Sequence, residues 1–219
     1  MTRARARKQA EIRQANLQRI LDAAEVVFSR RGLQGATIDE IAAGAGLPKA
    51  NILYYFRSKQ HLYRAVIDNI VQLWLSTLGD ISPDHDPREA LLHYVRLKVR
   101  LSKERPHASR VFAAEVLSGA PVIGRFLRTD LKRWVDRQAA VFRQWSRQGR
   151  MEPIEPRHLF FLIWAMTQTY ADFEVQVQAV LGRRTLREAD YARAERTIGA
   201  LVLRGCGLVP RGPRRPNKS

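Results

Sequence analysis

Lys49, Ala50, Asn51 and Tyr54 stand within one short stretch, and their side chains complement what DNA base edges present. An asparagine amide carries a donor and an acceptor side by side and matches adenine. A lysine donates to guanine or to a phosphate, and an alanine methyl lies against a thymine methyl. Tyr55 follows with a hydroxyl that can reach a phosphate from the edge of a core. Lys59 adds a second chemistry. It opens a predicted helix whose first turn, Lys59-Gln60-His61, holds no acid, and a lysine at the positive end of a helix is unfavourable alone. Free backbone N–H groups beside that ammonium make an anion site, which a DNA phosphate would fill. Thr37 and Arg57 flank the stretch as further phosphate contacts.

These side chains need two short helices held in a fixed relation. Thr37-x-x-Glu40 has the pattern of a capping box. Ile38, Ile41, Ala42 and Ala45 give the apolar spacing of a short amphipathic helix, and Gly44 and Gly46 allow a tight turn after it. The next helix, from about 48 to 55, is too short to stand alone in water. On it Ile52, Tyr55 and Phe56 follow i, i+3, i+4 spacing and face neighbouring helices, which leaves Lys49, Ala50, Asn51 and Tyr54 for a groove. Two short helices joined by a glycine turn make a helix-turn-helix, whose second helix enters the major groove.

The run Gly46-Leu47-Pro48-Lys49-Ala50-Asn51-Ile52-Leu53-Tyr54-Tyr55-Phe56-Arg57-Ser58-Lys59 resembles the recognition segment of the TetR family of bacterial transcription factors, G-V-S-K-G-T-L-Y-H-Y-F-x-S-K, in register. Pro48 replaces the usual capping serine, and proline suits a first helical turn. Leu53 replaces a tyrosine that often touches DNA, and Tyr54 stands at a variable position of the family. The resemblance implies an all-α fold: an N-terminal helix-turn-helix domain of three helices, then a larger helical domain for ligand binding and dimerisation. It implies a sequence-specific regulator of double-stranded operator DNA, a repressor more often than an activator. It also places Thr37, Arg57 and Lys59 at phosphate-binding positions.

The formal net charge is +17, and more than half of the excess sits in two tails. Residues 1–16 carry Arg3, Arg5, Arg7, Lys8 and Arg13 against Glu11, and residues 204–219 carry Arg204, Arg211, Arg214, Arg215 and Lys218 with no acid. Both tails are expected to be disordered, and a basic excess predicts attraction to a polyanion such as DNA. No apolar run reaches the length needed to span a membrane. The single cysteine, Cys206, fits a reducing, cytoplasmic setting. The chain has no Gly-rich phosphate loop, no nucleophile elbow and no paired metal histidines, and Asp84-His85-Asp86 reads as a solvated turn, so neither an enzyme nor a metal or cofactor site is expected.

Helical periodicity runs throughout. Predicted helices cover about 11 or 17 to 31, the pair above, 59–78, 87–104, 106–118, 121–149, 156–181 and 186–204. The turn-like Asp80–Pro87 is the expected domain boundary. The expected organisation is a basic disordered arm (1–16), the helix-turn-helix domain (17–62), an effector-binding and dimerisation domain (63–205) and a basic disordered tail (206–219). The last two helices, the eighth and ninth, carry Phe173, Val177, Val180, Leu181, Ile198, Leu201 and Val202 and are the candidate homodimer interface, unless these side chains close only the protomer's own core.

Trp164, Gln168 and Asp172 lie at i, i+4, i+8 and share a helix face. An indole covers a ring face and an amide offers one donor and one acceptor, which suits a small planar polar ligand. Lys98 and Trp74 are expected to join them from neighbouring helices. The strings NILYYFRSK, YVRLKVRLSKERPHASRVFAAEVLSGAP and IWAMTQTYADFEVQVQAV resemble pyrimidine-utilisation regulators within the same family, which implies a uracil- or thymine-like effector; the alternatives are a larger apolar or aromatic effector on the same fold, or a non-specific nucleoid-associated protein.

Overall fold

The computed structural model describes residues 2–77, 79 and 81–208, and no strand occurs among the described residues. Eleven α-helices follow one another: α1 (Thr2–Gly35), α2 (Ile38–Ala45), α3 (Lys49–Tyr55), α4 (Lys59–Thr77), α5 (Pro87–Glu104), α6 (Pro106–Leu117), α7 (Gly124–Phe126), α8 (Lys132–Arg147), α9 (Pro156–Asp172), α10 (Glu174–Val180) and α11 (Glu188–Gly205). A π-helical stretch, Leu127–Leu131, joins α7 to α8.

Two compact units result. One takes the chain up to Thr77 together with Pro106–Arg125; the other takes Leu78–Arg105 and the chain from Phe126 onward. This division differs from the expected 17–62 and 63–205. The helices α4 and α6 belong with the helix-turn-helix pair, because α1 packs on α2, α4 and α6, and α4 packs on α6.

The apolar stripe of α1 supplies this unit's core. Ile20, Ala24 and Phe28 are fully or nearly fully buried, as are Ile41 of α2, Ile52 of α3 and Leu62, Val66 and Ile70 of α4. Phe28 sets its ring edge-on to Tyr63 at 5.0 Å. The Tyr63 hydroxyl donates to the buried Glu115 carboxylate of α6 (2.9 Å), which also accepts from the backbone N–H groups of Val122 (2.5 Å) and Ile123 (3.2 Å). Three donors, one from α4 and two from the turn after α6, therefore share one buried acid and satisfy it.

One expectation about α1 changes. The arm 1–16 was expected to be disordered, yet the helix begins at Thr2. Its Ala, Arg, Lys, Gln and Glu residues are strong helix formers, and Arg7 pairs with Glu11 one turn on at 3.0 Å. Gly32 interrupts the helix as expected: it takes φ 65°, ψ 176°, and a separate short helical piece continues beyond the kink to Gly35.

In the second unit α5 packs on α9 and α11, and α9 on α8, α10 and α11. Its centre is aromatic: Phe142 stacks on Trp145 (5.4 Å) and on Phe160 (5.2 Å), and Phe160 meets Tyr94 edge-on at 5.8 Å. The Trp145 indole N–H and Arg150 both donate to the Pro83 carbonyl (2.8 and 2.7 Å), so the turn-like segment before α5 is tied down. The predicted helix 156–181 is broken at Phe173 (φ −114°, ψ 32°) into α9 and α10. Thr167 and Thr169 donate their hydroxyls to the carbonyls four residues back (2.8 and 2.7 Å), a bond that bends helices. Of the predicted tail 206–219, Cys206 is buried and Leu208 accepts a bond from Arg88 (3.2 Å); the basic remainder lies outside the described residues. Among the described residues no helix is long and apolar enough to cross a membrane.

Candidate nucleic-acid interface and effector site

The recognition helix α3 has only seven residues and is held by its surroundings. Thr37 closes the capping box at α2: the Glu40 N–H donates to the Thr37 hydroxyl, and the Thr37 N–H to the Glu40 carboxylate, both at 3.1 Å. At the other end of α2, Gly46 takes the left-handed conformation (φ 62°), and its N–H donates back to the carbonyls of Ala42 and Ala43. A Cβ here would be strained and would meet the Arg19 guanidinium at 2.9 Å. Arg19 itself donates to the Gly46 carbonyl (3.2 Å), which fixes the turn to α1.

Ile52 anchors α3 at 0% exposure and Phe56 is buried just beyond it. Opposite them Ala50 is exposed, Asn51 is half-buried at the margin, and Tyr54 stands 76% exposed. Tyr55 is half-buried and sets its ring edge-on to Tyr54 (5.4 Å). Lys49 is exposed and its ammonium donates to Asp39 of α2 at 2.9 Å. Arg57 is exposed in the turn that follows. The predicted reading face is thus a surface of the molecule, carried on a helix whose other side is core.

Lys59 is placed differently from the expectation. Its ammonium donates to the carbonyls of Gln34 (3.0 Å) and Ala36 (2.8 Å), where α1 ends. The misfit of a lysine at a helix N-terminus is relieved by the negative end of another helix, so no phosphate is required to explain the residue.

The five residues expected around an effector divide between the units. Trp74 lies in the first, buried, with its ring edge-on to Phe112 of α6 at 6.2 Å. Lys98 and the α9 face belong to the second. Trp164 donates its indole N–H to the Tyr94 hydroxyl at 2.7 Å. Tyr94 and Lys98 lie one turn apart on the buried side of α5, and Trp164, Gln168 and Asp172 follow at single-turn intervals on a half-buried flank of α9. Burial pushes the Lys98 ammonium down to about 8, against the opposing pull of the Asp172 carboxylate. Burial also raises Tyr94, with the Trp164 hydrogen bond working in the other direction. The result is an indole, a phenol, an amide, a cation and an anion on two packed helices.

Sequence reasoning missed Tyr94, although its spacing from Lys98 was readable. It also missed Asp39 and Arg19, which hold Lys49 and the turn from positions with no local signal.

The apolar residues proposed for a dimer surface also separate. Phe173, Val180, Leu181 and Leu201 are exposed, and Val175 joins them at 79% exposure. Ile198 and Val202 are buried and close the protomer's core instead.

Residues 20–66 match the family model described as bacterial regulatory proteins, tetR family, and residues 67–209 match that of the YcdC-like protein, C-terminal region. The chain belongs to the TetR family of bacterial transcriptional regulators. It is 41% identical over 186 residues to the HTH-type transcriptional regulator RutR of Escherichia coli (strain K12), covering 85% of this chain and 88% of that one. In fold this TetR-family chain is similar to a TetR-like transcriptional regulator from Rhodococcus sp. RHA1 (TM-score 0.63, 22% identity, 87% of this chain and 94% of that one). It is also similar to AibR solved with isovaleryl coenzyme A and operator DNA (TM-score 0.63, 23% identity, 84% and 97%).

Proposed function

We propose that this DNA-binding transcriptional regulator is a homodimeric, cytoplasmic repressor that reads its operator with α3 and is modulated by a small planar effector of the uracil or thymine type. The observation that carries the reading is the two-sided α3: Ile52 fully buried on one side, Lys49, Ala50 and Tyr54 in solvent on the other. Lys49, Ala50, Asn51 and Tyr54 approach base edges, and Thr37, Tyr55, Arg57 and Lys59 approach phosphates at the flanks. Lys59 reaches a phosphate by keeping one carbonyl bond and redirecting another N–H.

One helix reads few base pairs, and paired half-sites stand about 34–36 Å apart or a multiple of that. The exposed apolar side chains of α10 and its two caps and of α11 (Phe173, Val175, Val180, Leu181, Leu201) supply the two-fold contact.

The effector lies at Lys98, Trp164, Gln168 and Asp172. The cation donates to a ring carbonyl, the amide and carboxylate meet the alternating N–H and C=O edge, and the indole covers the ring face. The chain passes between units at 77/78, 105/106 and 125/126, and these crossings are the covalent routes by which effector binding biases the reading helices. Such coupling is typically about 1–3 kcal/mol, enough to change operator occupancy several-fold. Genomic fragments bound by the full chain, selected with and without uracil, test both parts. A discrete set of sites released by uracil is expected. Discrete sites that ignore uracil and thymine overturn the effector alone, and the absence of preferred sites overturns the repressor.

A further inference from the structure

One face of α8 holds the segment that follows α4. The Trp134 indole N–H donates to the Gly79 carbonyl (3.3 Å), and Gln138, one turn on, accepts the Ile81 N–H (3.0 Å). Both side chains are buried. Gly79 stands two residues after Thr77, where α4 ends, and α4 begins at Lys59, just beyond the reading helix. In sequence, α4 spans the distance between the reading helix and this segment.

The same indole is packed among the rings beside the effector residues. Its centroid lies 6.0 Å from that of Tyr94 and 5.1 Å from that of Phe160. Tyr94 accepts the Trp164 N–H at 2.7 Å, and Phe160 lies 6.1 Å from Trp164. Trp164 therefore reaches Trp134 by two routes, each through a single ring. Trp145 provides a contrast. It also donates to this segment, at the Pro83 carbonyl (2.8 Å), and its ring stacks on Phe142, but among the described residues no ring contact joins it to Tyr94 or Trp164. The Trp145 bond has an ordinary length, whereas the Trp134 bond lies just outside the usual range of about 2.7–3.2 Å. Gly79 is exposed, takes a left-handed backbone (φ 51°) and has open space where a Cβ would stand. Its carbonyl can exchange the indole for water at small cost, which gives the segment two arrangements of similar energy.

We propose that Trp134 is a positioning residue for regulation: its indole N–H holds the Gly79 carbonyl in one of two arrangements, and an effector lying against Trp164 changes which one is favoured, through Tyr94 and Phe160. The inference rests on the effector reading and adds the route by which that site acts on the reading head. An effector that meets Trp164 differently in the two arrangements binds them with different affinity, and that difference is all a ligand can contribute to a shift. By linkage, DNA that favours one arrangement changes effector affinity by the same factor. Packed rings alone do not establish coupling; a measured coupling free energy does.

The test compares Trp134→Phe with Trp145→Phe in the full-length protein. Each variant loses one indole N–H bond to the segment 79–83 and keeps an aromatic ring in the core. Affinity for a duplex selected from genomic DNA is measured with and without saturating uracil, and uracil affinity is measured by calorimetry on the free protein. Wild type and Trp145→Phe are expected to share one ratio of affinities, within the range of about 5–150-fold usual for such coupling. Trp134→Phe is expected to bind uracil within about threefold of wild type and yet to show a ratio under about twofold. A purely structural tryptophan would lower stability in both variants and leave both ratios alone. An undiminished ratio in Trp134→Phe overturns the proposal. A second measurement needs neither uracil nor a Trp134 variant. Protein labelled with fluorotryptophan carries four fluorine resonances, one for each tryptophan. That of Trp134 is assigned by elimination with Trp74→Phe, Trp145→Phe and Trp164→Phe. Adding duplex DNA is expected to shift the Trp134 resonance more than that of Trp145, and a Trp134 resonance that ignores bound DNA overturns the proposal. If it shifts while uracil alters nothing in wild type, uracil is lost as the effector and the Trp134 relay stands.

Discussion

The two polar clusters of this protein are built on opposite terms. On α3 the functional groups stand in water, and the helix is positioned by what lies beneath it: Ile52, Phe56 and the Arg19-bound turn. On α5 the polar groups themselves are inside, and those of α9 beside them are half-buried. Lys98 is 7% exposed, and the Tyr94 hydroxyl meets Trp164 out of solvent. Exposed charges contribute little to stability and answer to salt, whereas a buried ammonium opposes folding and answers to pH and to any ligand that can satisfy it. In the proposed function one cluster meets a large polyanion from outside and the other encloses something small.

The contrast is broken most severely at its foundations. Ile52→Ala removes the buried anchor of α3 and is expected to cost about 2–5 kcal/mol, read as a lowered urea midpoint. Operator affinity should fall further than the loss of folded protein explains. Unchanged stability would mean that α3 is not held from below.

Lys98→Met sharpens the other side. The lysine titrates near 8 folded and near its ordinary 10.5 unfolded, so between those values the unfolded chain holds more protons and stability rises with pH. Below about pH 8 the penalty is fully present, on the order of 3 kcal/mol. The Cys206 thiol, raised to about 11 by burial, works in the opposite sense above pH 9. The informative quantity is therefore the difference between wild type and Lys98→Met. That difference should shrink as pH goes from 8 to 10, and a constant difference would show that Lys98 is solvated.

Much of the reading head was legible because it is local. A capping box, a glycine turn and an i, i+3, i+4 stripe are all contained within twenty residues, and each formed as read. What escaped was set by distance along the chain. Lys59 looked like a misfit in need of an anion because its partners, Gln34 and Ala36, lie at the far end of α1. The placement of α6 beside α1 follows from packing and not from its own pattern, which specifies a helix and no neighbour. The split at Phe173 carried a faint signal in Thr167 and Thr169, whose hydroxyls compete with the helix. The arm was judged by charge alone, while its alanines and long polar side chains favoured helix. On the effector side Trp164, Gln168 and Asp172 were readable as one face, but Trp74 belongs to a different unit from the other four.

Smaller effects distinguish structure from contact. Lys59→Met removes two charge-assisted bonds at the end of α1 and is expected to destabilise by roughly 1–2 kcal/mol while also weakening DNA binding. A variant that loses DNA affinity with no change in melting would return Lys59 to a purely phosphate role. Lys49→Ala breaks only an exposed pair with Asp39, and stability should move by less than about 0.5 kcal/mol. Its effect should appear instead as a loss of about one in the salt slope or as relaxed specificity at one base.

Sequence reading by the exposed face of α3 is the property on which the proposed function depends. The direct measurement is the affinity of wild type and Asn51→Ala for a duplex selected from genomic DNA and for its scrambled counterpart, at one fixed salt concentration. The expected result is a preference of at least about a thousandfold for the selected duplex, reduced by the substitution by about 1–3 kcal/mol while scrambled binding is unchanged. Equal affinity for the two duplexes, or an Asn51→Ala protein as selective as wild type, would contradict it.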